Sequence, residues 1–222
     1  MDDVEKLIAK ELLQINAIKL NPANPFTWAS GWKSPIYCDN RKILSYPKTR
    51  DIVKKAFADM VKKEFGVPDV IAGVATGAIA HGVLVAEILD IPFVYVRASS
   101  KKHGLTNMIE GVLEAKQTVV VIEDLVSTGG SSLKAVEALR EAGANVLGML
   151  AIFSYGFAVA DDNFLKAKCS LKTLTNYHTL IDIAADTKYI ESDEIQTLEK
   201  WRQDPENWHF GATSTSHSSH AQ

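Results

Sequence analysis

Short apolar runs that alternate with helical stretches from residue 70 onward constrain the fold more than any other feature of the sequence. Most of these runs are rich in Val, Ile and aromatic residues, and each has the length of a strand rather than a helix. The predicted strands cover residues 70–75, 93–97, 118–123, 146–153 and 171–175. Strands that are apolar on both faces are typical of a parallel sheet covered by helices. The sequence therefore predicts an α/β fold with a mostly parallel central sheet flanked by helices.

Apolar residues that recur at helical spacing predict the helices that cover this sheet. The predicted helices span residues 4–15, 49–65, 79–89, 132–142 and 192–202. Residues 26–37, rich in aromatics and turn formers, are predicted to be extended and looped. We expect one domain over residues 1–203, in which about the first 45 residues form a small N-terminal hood. A polar, disordered tail is predicted over residues 204–222.

Charge and cysteine content exclude several classes of protein. The 24 Lys and Arg residues against 27 Asp and Glu residues give a net charge of −3, whereas nucleic-acid and anionic-membrane binders need a basic surplus. Cys38 and Cys169 form no CxxC pair, so neither a disulfide framework nor a thiolate zinc site is predicted. The acidic start, residues 1–6, has no signal-peptide pattern. We expect a cytoplasmic protein that binds neither nucleic acid nor membrane.

The most informative motif joins the third predicted strand to the helix that follows it. Its residues read Glu123-Asp124-Leu125-Val126-Ser127-Thr128-Gly129-Gly130-Ser131. We call residues 127–131 the phosphate turn, because its glycines let successive backbone N–H groups face one anion and its hydroxyls can donate to the same oxygens. The N-terminus of the following helix adds about half a positive charge. The motif therefore predicts a phosphate site where the strands of the sheet end.

Glu123 and Asp124 limit which phosphate compound fits this site. Two carboxylates beside the phosphate turn repel a second phosphate, and they are suited to accept hydrogen bonds from a vicinal diol. The chain contains neither GxxxxGK[ST] nor GxGxxG, so the sequence lacks the usual nucleoside triphosphate and dinucleotide motifs. The motif predicts a site for a ribose 5-phosphate, with the phosphate on the turn and the sugar hydroxyls on the carboxylates.

This motif resembles the phosphoribosyl pyrophosphate signature of the type I phosphoribosyltransferases. Residues 26–37 and 97–104 are similar to the substrate loop and the mobile catalytic loop of the family members that act on orotate, and residues 73–78 are similar to the family's pyrophosphate loop. The resemblance implies the type I phosphoribosyltransferase fold with the hood over the base site. It also implies transfer of ribose 5-phosphate from phosphoribosyl pyrophosphate to orotate, which yields orotidine 5-phosphate and pyrophosphate on the route to UMP.

The resemblance further implies the roles of individual residues. The predicted catalytic residues are Lys101, His103 and Asp124. The predicted contacts to phosphoribosyl pyrophosphate are Arg97, Lys101, His103, Glu123, Asp124, Leu125, Val126, Ser127, Thr128, Gly129, Gly130 and Ser131. The predicted contacts to orotate are Ser127, Lys33 and Tyr37. The positive and hydrogen-bonding groups of Arg97, Lys101 and His103 suit stabilisation of the negative charge on the departing pyrophosphate. The glycines at 104 and 111 suit a loop that closes over it.

A cofactor and a partner are implied as well. Mg²⁺ would be held mainly by the sugar diol and the pyrophosphate, so no metal-ligating residue is predicted. A homodimer is implied in which the loop with Lys101 and His103 reaches the neighbouring subunit. Some family members bind the orotate carboxylate with an arginine near the position of Tyr155, and this chain has no arginine there. The sequence leaves open which group binds that carboxylate.

Two alternative functions remain open. A phosphoribosyltransferase for another base would share the phosphate turn and differ in the hood, although residues 30–37 favour orotate. A non-catalytic regulator that senses phosphoribosyl pyrophosphate would add a DNA-binding element or a basic face, and the sequence shows the pattern of neither. A turnover assay with each base separates these alternatives from the orotate reaction.

Overall fold

A computed structural model describes residues 2–28, 31–98 and 108–208 of the chain. The chain begins with helix α1 (Asp2–Gln14), which is followed by two short antiparallel ribbons in the hood. Strand β1 (Ile18–Leu20) pairs with β4 (Ile36–Cys38), and β2 (Phe26–Thr27) pairs with β3 (Lys33–Ser34). A 3-10 helix, Asn40–Ser45, leads out of the hood. The segment predicted to be looped thus contains paired strands, each only two or three residues long.

Helix α2 (Pro47–Phe65) connects the hood to the sheet. It begins with a proline in its first turn, where the missing N–H costs no helical hydrogen bond. It ends at Gly66, whose φ of +75° is favourable for glycine. Between these ends, Val53, Phe57 and Val61 are buried on the face toward the core.

Six strands form the central sheet, and they confirm the predicted fold class. These are β5 (Val70–Val74), β6 (Phe93–Val96), β7 (Ile109–Glu110), β8 (Thr118–Val126), β9 (Asn145–Ser154) and β10 (Leu171–Asn176). Their order is β10-β9-β8-β5-β6-β7, and every pair is parallel except β6 with β7. The central strand β8 lies between β5 and β9, and residues 119–122 have no measurable exposure. The apolar runs therefore form the core because both of their faces are covered.

The remaining helices lie between and after these strands. They are α3 (Ile79–Leu89), α4 (Gly130–Glu141), α5 (Ala158–Lys166), α6 (Tyr177–Asp186) and α7 (Ser192–Gln203). Helices α5 and α6 were not predicted from the sequence. Helix α6 follows β10 with no intervening loop, because the side chain of Asn176 accepts a hydrogen bond from the N–H of Thr179 and caps the helix directly.

No helix in the described part of the chain has both the length and the apolar character to cross a membrane.

Strand β8 is longer than predicted, which places the two acidic residues inside it. The sequence predicts its end at residue 123, but pairing with β9 continues through Leu125 with Phe153 and Val126 with Ser154. Glu123 and Asp124 are therefore consecutive strand residues, and consecutive side chains of a strand point to opposite faces of the sheet. The two carboxyl groups nevertheless interact, because the charge and the side chain of Asp124 both contribute to raising the pKa of Glu123.

An aromatic cluster joins the hood to helix α7. Trp201 on α7 is completely buried and packs edge-on against Trp28 of the hood, with the ring centroids 5.6 Å apart. Tyr155, just after β9, lies 5.5 Å from Trp28 and 5.7 Å from Trp201. Beyond α7, Trp208 packs against the core, and residues 209–222 of the predicted tail lie outside the described residues. Helix α7 therefore helps to hold the hood against the sheet.

Candidate active site where the central strands end

The phosphate turn lies between β8 and α4, as the sequence predicts for residues 127–131. Gly129 has a φ of +80°, and a Cβ there would lie 2.7 Å from Cε2 of Phe164, so both backbone conformation and space require glycine. The N–H of Leu133 donates to the carbonyl of Gly129, which places Gly130 and Ser131 before the first helical hydrogen bond. Both residues are exposed. Their N–H groups suit an anion at this helix end.

A side chain from α5 supports the phosphate turn. The Nδ2 of Asn163 donates to the carbonyl of Thr128 at 3.0 Å, and the neighbouring Phe164 packs against Gly129. These contacts hold the turn against α5. Sequence reasoning missed Asn163, because its segment carried no recognised helical pattern.

Glu123 lies on the α4 face of the sheet and is only 4% exposed. Its Oε2 accepts a hydrogen bond from the hydroxyl of Ser132 at 2.7 Å, and its Oε1 accepts one from the N–H of Asp124 at 2.9 Å. Burial, with a further contribution from the charge of Asp124, raises the pKa of Glu123 to about 8. The residue is therefore mostly protonated at neutral pH and ties α4 to β8. Its contact with the sugar stays a prediction.

Asp124 lies beside the turn that precedes α3. Its carboxyl group packs so closely on Gly77 that a Cβ at position 77 would overlap with it. The Nδ2 of Asn40 donates to the backbone carbonyl of Asp124 at 2.7 Å, which joins the hood to this strand. Burial lowers the pKa of the nearby His81, and the charge of Asp124 opposes this effect. Asp124 is thus a partly exposed residue at the boundary between sheet and hood.

Arg97 and the phosphate turn line the same cavity, which has a volume of about 280 Å³. Its lining comprises Val74, Ala75, Arg97, Ala98, Gly130, Ser131, Lys134 and Ala135. Arg97 also forms an ion pair with Glu110, with Nη1 3.4 Å from Oε1. Sequence reasoning missed Lys134, which reaches the cavity from the second turn of α4. The cavity brings a guanidinium group, an ammonium group and the free helix end together.

The predicted orotate contacts come from both sides of the site. Lys33 and Tyr37 belong to the hood, and Ser127 belongs to the phosphate turn. The ammonium group of Lys33 donates to the hydroxyl of Thr27 at 2.8 Å. The ring of Tyr37 is 40% exposed and lies 5.7 Å from the ring of Phe26. An exposed aromatic ring of this kind offers a surface on which a planar base can stack.

An arginine approaches Tyr155 from another element. Arg202 of α7 donates from Nε to the carbonyl of Tyr155 at 3.0 Å and from Nη2 to the carbonyl of Gly156 at 2.6 Å. The region near Tyr155 therefore contains a guanidinium group that the local sequence does not reveal. Through these two hydrogen bonds to backbone carbonyls, Arg202 supports the end of β9.

Two predicted catalytic residues, Lys101 and His103, lie outside the described residues, and their roles stay predictions. Among residues 2–28, 31–98 and 108–208, no group of three His, Cys, Asp or Glu side chains is arranged to hold a metal ion.

Comparison with known proteins shows a consistent similarity. Residues 39–187 match the family described as phosphoribosyl transferase domain. The orotate phosphoribosyltransferase of Bacteroides fragilis is 59% identical over 211 residues, which are 95% of this chain and 100% of the relative. That of Porphyromonas gingivalis is 56% identical over 208 residues, which are 94% of this chain and 99% of the relative. The crystal structure of orotate phosphoribosyltransferase from Aeropyrum pernix has a TM-score of 0.72 at 26% identity and covers 83% of this chain and 99% of its own.

Proposed function

The chain belongs to the phosphoribosyl transferase domain family and, within it, to the orotate phosphoribosyltransferases, and from this membership we propose how its residues carry out the reaction. The enzyme transfers ribose 5-phosphate from phosphoribosyl pyrophosphate to orotate and releases pyrophosphate, a step of pyrimidine synthesis. One observation carries the residue-level proposal. Asp124 lies near the end of β8, the phosphate turn comes directly after that strand, and Asn40 of the hood bonds to the backbone of Asp124.

The ribose 5-phosphate binds to the phosphate turn and to Asp124. The 5-phosphate accepts hydrogen bonds from the N–H groups at the start of α4 and from the hydroxyls of Ser127, Thr128 and Ser131. The partly exposed carboxylate of Asp124 accepts hydrogen bonds from the sugar hydroxyls. This arrangement fixes the sugar carbon that undergoes substitution.

The departing pyrophosphate is stabilised by cations. Negative charge grows on it as the bond to the sugar breaks, and positive groups aimed at that charge lower the barrier. Arg97 lines the cavity next to the phosphate turn, and we assign Lys101 and His103 to the same task on the basis of the family resemblance. Closure of their loop would exclude water, which would otherwise compete with the base.

Mg²⁺ fits the donor chemistry of this site. The ion takes oxygen ligands and is commonly held through substrate phosphates and one or two carboxylates. Asp124 is the open carboxylate beside the sugar, so it and the substrate's own oxygens would hold the ion. When bound, Mg²⁺ neutralises charge on the pyrophosphate. A cytoplasmic location and a homodimer with shared loops complete the proposal, and both rest on the sequence.

The assay that tests the proposal follows orotate absorbance in the presence of phosphoribosyl pyrophosphate and Mg²⁺. We expect orotate to be consumed and pyrophosphate to form in equal amounts, with no reaction of uracil or adenine under the same conditions. Asp124→Asn removes a charged hydrogen-bond acceptor and should lower kcat/KM by roughly tenfold to a hundredfold. The control is Asp51→Asn on the surface of α2, where the carboxylate pairs only with neighbouring lysines. Consumption of another base in place of orotate would contradict the proposal, as would binding of phosphoribosyl pyrophosphate without turnover.

A further inference from the structure

Orotate poses an electrostatic problem that the residues assigned above do not solve. It carries a carboxylate on C6, next to N1, the nitrogen that forms the bond to the sugar. The carboxylate must therefore lie close to the sugar and close to Asp124, whose negative charge repels it. A cation between the hood and Asp124 would offset this repulsion and would distinguish orotate from a base without the carboxylate.

Arg41 is placed at this boundary. It follows Asn40, whose side chain joins the hood to the backbone of Asp124 through the 2.7 Å hydrogen bond. The hydrogen bond and charge of Asp39, followed by Tyr37 and Asp124, raise the pKa of the Arg41 guanidinium group. Arg41 is therefore the cation next in the chain to the residue that joins the hood to Asp124.

The guanidinium group of Arg41 is also available to a ligand. Its Nε donates to Oδ1 of Asp39 at 2.6 Å, and the side chain is 63% exposed. This ion pair uses Nε, and no other side-chain hydrogen bond of Arg41 is found among the described residues. The terminal nitrogens can therefore bind a second carboxylate in the planar, bidentate geometry that guanidinium groups favour. Asp39 holds the side chain in place before the ligand arrives.

Other cations of this region are bound to partners within the protein. Lys33 donates to Thr27 across the β2–β3 ribbon, and Lys42 donates to the carbonyl of Asn16 at 3.1 Å. Arg202 bonds to the carbonyls after β9. We propose that Arg41 binds the C6 carboxylate of orotate and thereby determines the preference for orotate over neutral pyrimidines. This inference rests on the proposed function.

The test compares Arg41→Gln with Lys42→Gln, a matched loss of the neighbouring hood cation, whose ammonium group bonds to the carbonyl of Asn16. We expect Arg41→Gln to raise the KM for orotate roughly tenfold to a hundredfold, the effect of losing a charged hydrogen bond, and to change the KM for phosphoribosyl pyrophosphate less than about twofold. Arg41→Lys keeps the positive charge but lacks the planar, bidentate guanidinium geometry, so its affinity for orotate should lie between those of the wild type and Arg41→Gln. Lys42→Gln should change the KM for orotate much less than Arg41→Gln does.

A ligand that lacks the charge makes the test specific to the carboxylate. We measure inhibition of turnover by the neutral 6-carboxamide of uracil and compare its inhibition constant with the KM for orotate. The wild-type enzyme should favour the acid over the amide, and Arg41→Gln should lose most of that preference while still binding the amide. If the substitution only loosened the hood, the binding of the acid and the binding of the amide would weaken by the same factor.

Two results would overturn the inference while leaving the proposed function intact. The first is an Arg41→Gln enzyme that keeps the wild-type preference for the acid over the amide. The second is loss of that preference in Lys33→Gln but not in Arg41→Gln, which would assign the carboxylate to the β2–β3 ribbon. If the wild-type enzyme did not consume orotate at all, the proposed function itself would fall, and the inference with it.

Discussion

Glu123 and Asp124 are neighbours in the chain, yet their environments give them different chemistry. Glu123 is buried beneath α4, where it bonds to Ser132 and retains its proton at neutral pH. Asp124 faces the hood side, where it is partly exposed and can accept hydrogen bonds from a sugar. Placing only one full negative charge beside the phosphate turn reduces the repulsion that a phosphorylated substrate would meet. One carboxyl group is thus structural, and the other is available to the ligand.

The titration of Glu123 predicts how stability depends on pH. The folded chain keeps a proton up to about pH 8, whereas an unfolded glutamate loses it near its ordinary value of 4.5. Between these values the folded state binds more protons, so the free energy of unfolding should fall as the pH rises. Glu123→Gln mimics the protonated form and should flatten this dependence. Chemical unfolding of both proteins at about pH 5.5, 7 and 8.5 measures how the free energy of unfolding changes with pH.

The control for this prediction is Glu141→Gln, at the exposed end of α4. This variant should keep the wild-type decrease in the free energy of unfolding. If Glu123→Gln showed the same decrease as the wild type, a different group would be responsible for it.

At the scale of elements, two helices support the two halves of the site. Helix α5 places Phe164 against Gly129 of the phosphate turn, and α7 places Trp201 against Trp28 of the hood. Trp28 in turn donates from Nε1 to the carbonyl of Ile36, in the segment predicted to contact orotate. The aromatic contacts therefore connect the last helix to the base-binding side, while α5 serves the phosphate side.

Substitutions in these helices should affect different substrates. Trp201→Ala and Phe164→Ala each remove a buried aromatic side chain and should each lower the free energy of unfolding by about 3–5 kcal/mol. Because Trp201 supports the hood, Trp201→Ala should raise the KM for orotate more than the KM for phosphoribosyl pyrophosphate. Because Phe164 supports the phosphate turn, Phe164→Ala should raise the KM for phosphoribosyl pyrophosphate more than the KM for orotate. Steady-state kinetics below the unfolding temperature of each variant measures both constants, and equal effects on the two constants would show that the helices do not act separately.

At the scale of the whole molecule, the parallel sheet gathers residues that are distant in sequence. The strands β5, β6 and β8 end side by side, so the turn after each strand reaches the same region. In this way Gly77, Arg97 and Asp124 come together around the phosphate turn. The hood, joined to this edge through Asn40, completes the site with a surface for the base.

The proposed homodimer predicts recovery of activity when two defective variants are mixed. If Lys101 of one subunit serves the site of its partner, a mixed dimer of Lys101→Ala and Asp124→Asn contains one site without either substitution. Random exchange of subunits should then restore about a quarter of wild-type turnover. The measurement is turnover before and after the variants are mixed under conditions that allow exchange. No recovery, despite mixed dimers detected by mass spectrometry, would mean that each loop serves its own subunit.

The sequence predicted the sheet well because burial on both faces leaves a continuous apolar run, as in residues 118–123. It could not show where β8 ends, since that depends on pairing with residues of β9. The position of Glu123 and Asp124 inside a strand follows from that longer pairing. The side chains that support the site could not be predicted from the sequence for a related reason. Asn40 and Asn163 bond to residues 84 and 35 positions away, and no local pattern records such contacts.

A crystal structure of the protein with phosphoribosyl pyrophosphate and Mg²⁺ tests the central claim most directly. We expect the 5-phosphate to contact the N–H groups of residues 127–131 and the sugar hydroxyls to bond to Asp124. A sugar phosphate bound elsewhere, or bound at this turn without contact to Asp124, would contradict the account.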